Sequence, residues 1–301
     1  MIAGMEAPSR PYILATRRSP LALAQTELVT AHLNRHLPGG RTCTRLEMVT
    51  TGDRQRDWSL EEQGGKGLFT KELEDALLEG RADAAVHSAK DLPTTLPDGL
   101  ALAGFLPRAP VQDVLVRVAD VETPRLIATS SPRRRAQLRA RFPNAEWTTL
   151  RGNVHTRLRK LTEGAADATI LAAAGLARLG IEARSGLVFE PLDPQDCVPA
   201  AGQGAIALET RNADAEWLGA LLDATTGQAV VLERAVLAAL GGGCHAAVAV
   251  WYDVSAGMLW VYAEESGRHF FPVGSVRRDE TARVAAEVAR AVLGSDAVPD
   301  R

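Results

Sequence analysis

Four short stretches of this chain combine residue types that can do chemistry. The first is Leu240-Gly241-Gly242-Gly243-Cys244-His245-Ala246. Three glycines clear side chains from the backbone beside a thiol, so a bulky group can come close to the sulfur. A metal centre is disfavoured, because one adjacent His and two remote cysteines show no ligand spacing. A buried structural cysteine is the commonest role for a lone Cys, but the glycine run fits a nucleophilic or covalently modified thiol better. The second stretch is Val86-His87-Ser88-Ala89-Lys90-Asp91-Leu92-Pro93. An acid beside a cation stays ionised and can stabilise a developing cation or move protons. The same residues also read as an Asx turn before Pro93.

The other two stretches are arginine corners, "ATSSPRRRAQL" and "TLRGNVHTRLRKL". Cations in the first turn of a helix oppose its dipole by roughly 0.3–1 kcal/mol each. Free N–H groups already make that end an anion site. Arg133, Arg134, Arg151 and Arg157 at such corners therefore point to an anionic ligand, for which the guanidinium fork is suited. Arg135, Arg139 and Arg159 read as a solvated basic face. The run Gly64-Gly65-Lys66-Gly67 lacks the spacing of a phosphate-binding P-loop. Its place after a long polar loop suggests a mobile flap that brings Lys66 near a cleft.

The elements around these stretches alternate. "YILAT" reads as a strand, Ser19-Pro20 as a helix start and Pro38-Gly39-Gly40 as its stop. "TRLEMVT", "ADAAVH" and "LALAGFL" read as further strands, with "LFTKELEDALLEG" a helix between them. A second series begins near Val111 with "DVLVRV", "RLIATSS", "WTTLRG" and "DATILAAAGLARLG". Strands alternating with helices predict parallel, doubly wound sheets, here two α/β domains with a cleft between them. Ligands bind such sheets beyond the carboxyl ends of their strands. From about Thr225 one helix (228–240), two neighbouring strands and a terminal helix predict a small antiparallel α+β domain with Cys244 near its start.

Composition bounds the function. The 301 residues are 46% hydrophobic and 24% charged, with a net charge of −3, which does not suit a nucleic-acid binder. Only four basic residues are lysine, and between Arg125 and Lys160 ten basic residues accompany one acid, Glu146. Three dispersed cysteines argue for a reducing compartment. The first residues show no apolar core with a cleavage site, and no uncharged apolar run reaches about 18 residues. A cytoplasmic protein without a membrane partner is expected.

In order, "ILATRRSPLALAQ", "TTGD", "GGKGLFTKELEDALLEGRADAAVHSAKDLPT", "ATSSPRRRAQL", "LRGNVHTRLRKL", "DATILAAAGLARLG", "PAAGQGAIALE" and "GGGC" resemble the porphobilinogen deaminase (hydroxymethylbilane synthase) family, from about Ile13 to Cys244. The resemblance implies a transferase that joins four porphobilinogen molecules head to tail with release of ammonia, in tetrapyrrole (haem) biosynthesis. It implies a dipyrromethane cofactor in thioether linkage to Cys244 and Asp91 as the catalytic aspartate. It implies Arg17, Ser19, Arg133, Arg134, Arg151, Arg157 and Arg178 as holders of pyrrole carboxylates, with Gln25, Lys66, Ser88, Lys90, Thr129 and Ser131 assisting. It implies no metal, no nucleic acid and a monomer. It implies two periplasmic-binding-protein-like domains, 11–106 with 202–220 and 111–197, and a small third, 225–295. A solute-binding protein of the same architecture would need neither Cys244 nor Asp91, and usually carries a secretion signal. A nucleic-acid-binding regulator would place its arginines on a groove-reading element. The chain departs from the family pattern at Glu61-Glu62-Gln63, where a lysine is frequent, and at the hinge segment Pro110–Asp113. It departs again at His155, where glycine is usual and a tighter pocket is expected, and at His245-Ala246-Ala247.

Overall fold

The computed structural model describes residues 10–54, 69–242 and 247–294, without the side chains of Asp53 and Arg54. Strand β1 (Tyr12–Arg17) leads into helix α1 (Pro20–His36). Ser19 caps α1 by accepting from the Ala22 N–H at 3.2 Å, and Pro20 sits where its missing N–H has no partner to lose. Strand β2 (Cys43–Met48), helices α2 (Thr51–Arg54) and α3 (Lys71–Leu78), and strands β3 (Ala84–Ser88) and β4 (Leu100–Phe105) follow. The next run holds β5 (Asp113–Val118), β6 (Leu126–Ala128), α4 (Pro132–Leu138), β7 (Glu146–Thr148), α5 (Val154–Thr162), β8 (Ala168–Ala172), α6 (Ala173–Arg178) and β9 (Leu187–Pro191). The chain returns through β10 (Ile206–Arg211) and α7 (Asn212–Gly219). Helix α8 (Ala224–Ala239), strands β11 (Val248–Asp253), β12 (Met258–Ala263) and β13 (Gly267–Pro272), and helix α9 (Thr281–Leu293) complete it.

The fold is mixed α/β, and the described residues form two five-stranded sheets of one design and a three-stranded one. Their orders are β2-β1-β3-β10-β4, β7-β6-β8-β5-β9 and β11-β12-β13. In the first, β1 pairs parallel with β2 and β3, while β10 runs antiparallel to β3 and β4. In the second, β6 pairs parallel with β7 and β8, while β5 runs antiparallel to β8 and β9. The parallel expectation thus holds for strands joined by helical crossovers and differs at β5 and β10. Those two carry the chain into the second sheet and back to the first, so no helical crossover onto the same sheet sets their direction.

Helices cover both faces of each large sheet. Val29 and Leu33 of α1 pack on Tyr12, Leu14 and Val86, whereas Leu73, Ala76 and Leu77 of α3 pack on Ala15 and Ala85. Leu158 and Leu161 of α5 meet Val116 and Ala128, and Leu138 of α4 meets Leu115 and Ile127. In the small sheet, Leu232 and Val236 of α8 and Val284 and Val288 of α9 cover Val250, Leu259 and Val261. The sequence predicts two strands there; the third, β13, is an edge strand with exposed Arg268 and Phe270 and no buried face to announce it. Among the described residues no helix is long and apolar enough to cross a membrane.

Two segments cross between the large sheets side by side. Leu106 donates its N–H to Ile206 at 3.1 Å, and Ala109 donates to Gly204 at 3.1 Å. Gly204 has φ +85°, and a Cβ there would meet the Ala109 carbonyl oxygen at 2.4 Å. Gly204→Ala is expected to cost about 2 kcal/mol or more, from positive φ and the backbone clash together. A lower urea midpoint at unchanged slope checks this; an unchanged midpoint contradicts the close approach.

Candidate active site

Strands β1 and β3 are parallel neighbours, so their last residues, Arg17 and Ser88, emerge at the same end of the sheet. Arg17, Ser19, Gln25, Ser88 and Asp91 line one pocket with Phe69, Thr70 and His87. The Arg17 guanidinium lies 4.3 Å from the Phe69 ring centroid. Buried Gln25 donates its Nε2 to the Ser88 hydroxyl at 2.9 Å. Asp91 ends a single 3-10 turn, Ala89–Asp91, that Ala89 anchors by donating its N–H to Ala205 at 3.1 Å. The Asp91 side chain is exposed, and among the described residues none donates a hydrogen bond to its carboxylate. The Asx-turn reading therefore does not account for it.

The second sheet presents its corners the same way. At the β6–α4 corner, Thr129 is buried and its hydroxyl accepts from the Ser131 N–H at 3.2 Å, while Ser131 caps α4. At the β7–α5 corner, Asn153 caps α5, Arg151 precedes it and Arg157 donates Nε to the Gly152 carbonyl at 2.8 Å. Arg178 ends α6 and donates Nη2 to the Gly204 carbonyl at 2.5 Å, whereas its buried Nε finds no partner among the described residues. Helix α6 reaches the first sheet's helix α1: a Cβ on Gly175 would lie 3.8 Å from Leu21. Arg159 pairs with exposed Glu163 and Arg139 is exposed, as a solvated face requires. Arg135 is half-buried instead, with Nε unpartnered. His155 is exposed on α5. Lys66, Glu61-Glu62-Gln63, Cys244, His245 and Ala246 lie outside the described residues; α8 and β11 flank the cysteine.

Arg133 and Arg134 turn inward onto Asp113, which is fully buried. Arg133 donates Nη2 to it at 2.7 Å and Nη1 to the Val198 carbonyl at 2.7 Å. Arg134 donates Nη2 and Nε to its other oxygen at 2.6 and 3.1 Å, and Nη1 to the Ile170 carbonyl. Burial alone would raise the Asp113 carboxyl, but Arg133 and Arg134 hold it well below the usual carboxylate range. Gln203 completes the link: its Nε2 donates to Asp113 at 2.9 Å, and its Oε1 accepts from Lys90 at 3.3 Å. The sequence reading passes over Asp113 and Gln203 as functional residues. The available signals are an acid heading the apolar run "DVLVRV" and a polar amide between two glycines in "AGQGA".

Three further cations, Lys90, Arg157 and Arg178, are held below their ordinary range. Burial, with Arg134 and Arg133 nearby, pushes Lys90 down to about 8 against the pull of Asp91 and Asp113. Burial pushes Arg178 down to about 10. Burial and then Arg134 lower Arg157, and Arg151 adds to this while Asp91 opposes it. Asp91 is thus a carboxylate whose field reaches Lys90, Arg134 and Arg157. The donor set fits a polycarboxylate, and the orphaned Arg178 Nε is a buried donor that such a ligand can satisfy. Among the described residues no group of His, Cys, Asp and Glu could hold a metal ion.

A family model described as porphobilinogen deaminase, dipyromethane cofactor binding domain, matches residues 12–218. A porphobilinogen deaminase of Sorangium cellulosum is 46% identical over 258 residues, 83% of this chain and 85% of that protein. One from Chromobacterium violaceum is 43% identical over 289 residues, 93% of this chain and 91% of that protein. Among solved structures, the periplasmic VFT2 domain of Bordetella pertussis BvgS has a TM-score of 0.41 at 17% identity, over 69% of this chain and 85% of that one.

Lys90 yields a direct test. The folded state lowers its pKa from 10.5 to about 8, so the burial penalty is present below about 8 and relieved between about 8 and 10.5. Its contribution to stability therefore rises with pH across that window. With four lysines in the chain, NMR of ¹³C-dimethylated protein can follow each one. One is expected to titrate near 8 and to move upward when a dicarboxylate occupies the cleft. Lysines that all titrate near 10.5 contradict this electrostatic picture.

Proposed function

The chain belongs to the porphobilinogen deaminase family, and from that premise we propose that Asp91 and the arginine corners perform the family's reaction on a primer held by Cys244. The protein is a transferase, a hydroxymethylbilane synthase of tetrapyrrole biosynthesis that joins four porphobilinogen molecules and releases ammonia. Its cofactor is dipyrromethane. Cys244 is the attachment point, supported by the glycines before it and by its match to the family's cysteine. When bound, dipyrromethane supplies a nucleophilic pyrrole carbon at which the chain grows.

The protein's residues then have separable tasks. Lys90, Arg151, Arg157 and Arg178 bind acetate and propionate side chains, with Arg17 and Ser19 doing so from the opposite sheet. Thr129 and Ser131 support the β6–α4 corner, and Gln25 holds Ser88 by the hydrogen bond described. Arg133 and Arg134 contribute positive field while Asp113 fixes their place. Lys66 assists in holding these carboxylates, a role supported by its match to the family pattern. Loss of ammonia leaves porphobilinogen electron-poor, and the exposed carboxylate of Asp91 accepts pyrrole N–H bonds, stabilises that positive charge and moves the proton released on coupling. The observation that carries this reading is the pairing of one open carboxylate with cations that burial has left under-compensated.

The units 11–106 with 202–220, 111–197 and 225–295 act as three domains, a division supported by the three separate sheets. The protein works as a cytoplasmic monomer without nucleic-acid or membrane partners, which its net charge of −3 and dispersed cysteines support.

Intact mass spectrometry tests the assignment. Protein supplied with porphobilinogen is expected to gain about 420 Da, two units less two ammonias, and Cys244→Ser to gain nothing. An unmodified wild-type mass would sink the reading. Asp91→Asn is expected to keep the adduct and lose turnover by about 100-fold or more. Near-normal turnover would remove Asp91 from the chemistry.

A further inference from the structure

Two carboxylates and an imidazole lie buried together beneath the turn that carries Asp91. His87 is the penultimate residue of β3, 6% exposed. Its Nε2 lies 3.0 Å from Oε2 of Glu209 on the neighbouring strand β10, and Glu209 has no exposure. The register pairs Ala207 with His87 and Glu209 with Ala85, so the two side chains meet diagonally on one face of the sheet. That face packs on α3, whose Glu74 is also buried. Among the described residues neither Glu209 oxygen accepts a well-aligned hydrogen bond, and the His87 imidazole is the polar group beside it. Burial raises the Glu74 carboxyl, and the Glu209 charge adds to this.

Nothing in the packing of the sheet calls for these groups. The neighbouring positions of β3 are Ala84, Ala85 and Val86, all buried and apolar. Burying polar side chains costs desolvation that apolar residues of similar volume would avoid, so the presence of His87 and Glu209 here asks for another role. Its location supplies one. His87 is joined directly to Ser88 and the Ala89–Asp91 turn, and it lines the same pocket as Arg17, Ser88 and Asp91. Glu209 sits on the strand that follows Ala205, the acceptor of the Ala89 N–H. The pair therefore ties together the two strands whose ends hold that turn.

We propose that His87 and Glu209 are positioning residues for Asp91, locking the end of β3 to β10 so that the carboxylate stays in place as the chain grows. This rests on the reading of Asp91 as the reacting carboxylate. It is tested in full-length, cofactor-loaded protein with His87→Gln, Glu209→Met and the double variant His87→Leu/Glu209→Met. His87→Gln places an N–H donor near the imidazole Nε2 and is expected to retain most turnover. Glu209→Met and the double variant are expected to keep the cofactor mass and the KM for porphobilinogen, while kcat falls about tenfold from misplacement of the carboxylate. Amide hydrogen exchange over residues 88–92 should quicken about tenfold in the same two proteins, at unchanged melting temperature for the double variant. Wild-type kcat and wild-type exchange in a folded Glu209→Met or double variant would overturn the proposal, as would loss of turnover in His87→Gln equal to that in Glu209→Met. Wild-type protein that fails to consume porphobilinogen would instead refute the functional reading.

Discussion

A fully buried carboxylate, Asp113, organises the positive charge of the cleft. It accepts hydrogen bonds from Arg133, Arg134 and Gln203, and Gln203 in turn accepts from Lys90. Removing one partner of such a buried pair leaves an uncompensated charge, at a cost of about 3–5 kcal/mol. The pair is therefore a constraint that the surrounding structure has to respect. It divides the cations of the cleft into two groups. Arg133 and Arg134 share the one charge of Asp113 and build the β6–α4 corner with a net positive field, whereas Lys90, Arg157 and Arg178 are cations that burial pushes down.

The position of this carboxylate explains why hinge and site coincide. Asp113 heads β5, the antiparallel strand by which the chain enters the second sheet. Gln203 lies in the segment that brings the chain back to β10, between Gly202 and Gly204. Gly204 allows the two crossing segments to touch backbone to backbone, and Arg178 donates to its carbonyl. Arg108 fastens the same place to α8, donating to Gln203 at 2.9 Å and to both oxygens of buried Glu233. Glu233 also accepts from the N–H of Gly202 and of Tyr252 on β11. One hydrogen-bonded path thus joins Lys90, the hinge, the arginine corner and the two elements that flank Cys244.

Much of this was legible in the sequence, for a definite reason. Strand-to-helix corners are written locally, by a cap, a proline and glycines, so the Ser19 helix start and the arginines at the two later corners could be placed before any tertiary contact was known. The carboxylate at Asp91 was legible because it follows a strand end. Partners fixed by long-range pairing were not legible. Nothing within a few residues of Arg133 says that Asp113 will face it, and nothing near His87 says that Glu209 will arrive from β10. The antiparallel direction of β5 and β10 escaped the alternation rule for the same reason, since that rule describes only strands linked through a helix.

Function follows from imbalance: one internal acid, Asp113, fixes the two arginines that shape the corner without cancelling their charge, the other cations remain for ligand carboxylates, and Asp91 faces the reacting pyrrole. A crystal structure of the protein carrying dipyrromethane tests this most directly. Cofactor carboxylates are expected in hydrogen-bond contact with Lys90 and Arg157, pyrrole N–H groups on Asp91, and Asp113 still holding the arginine pair. Carboxylates turned toward solvent, with Lys90 and Arg157 left unpaired, would contradict it.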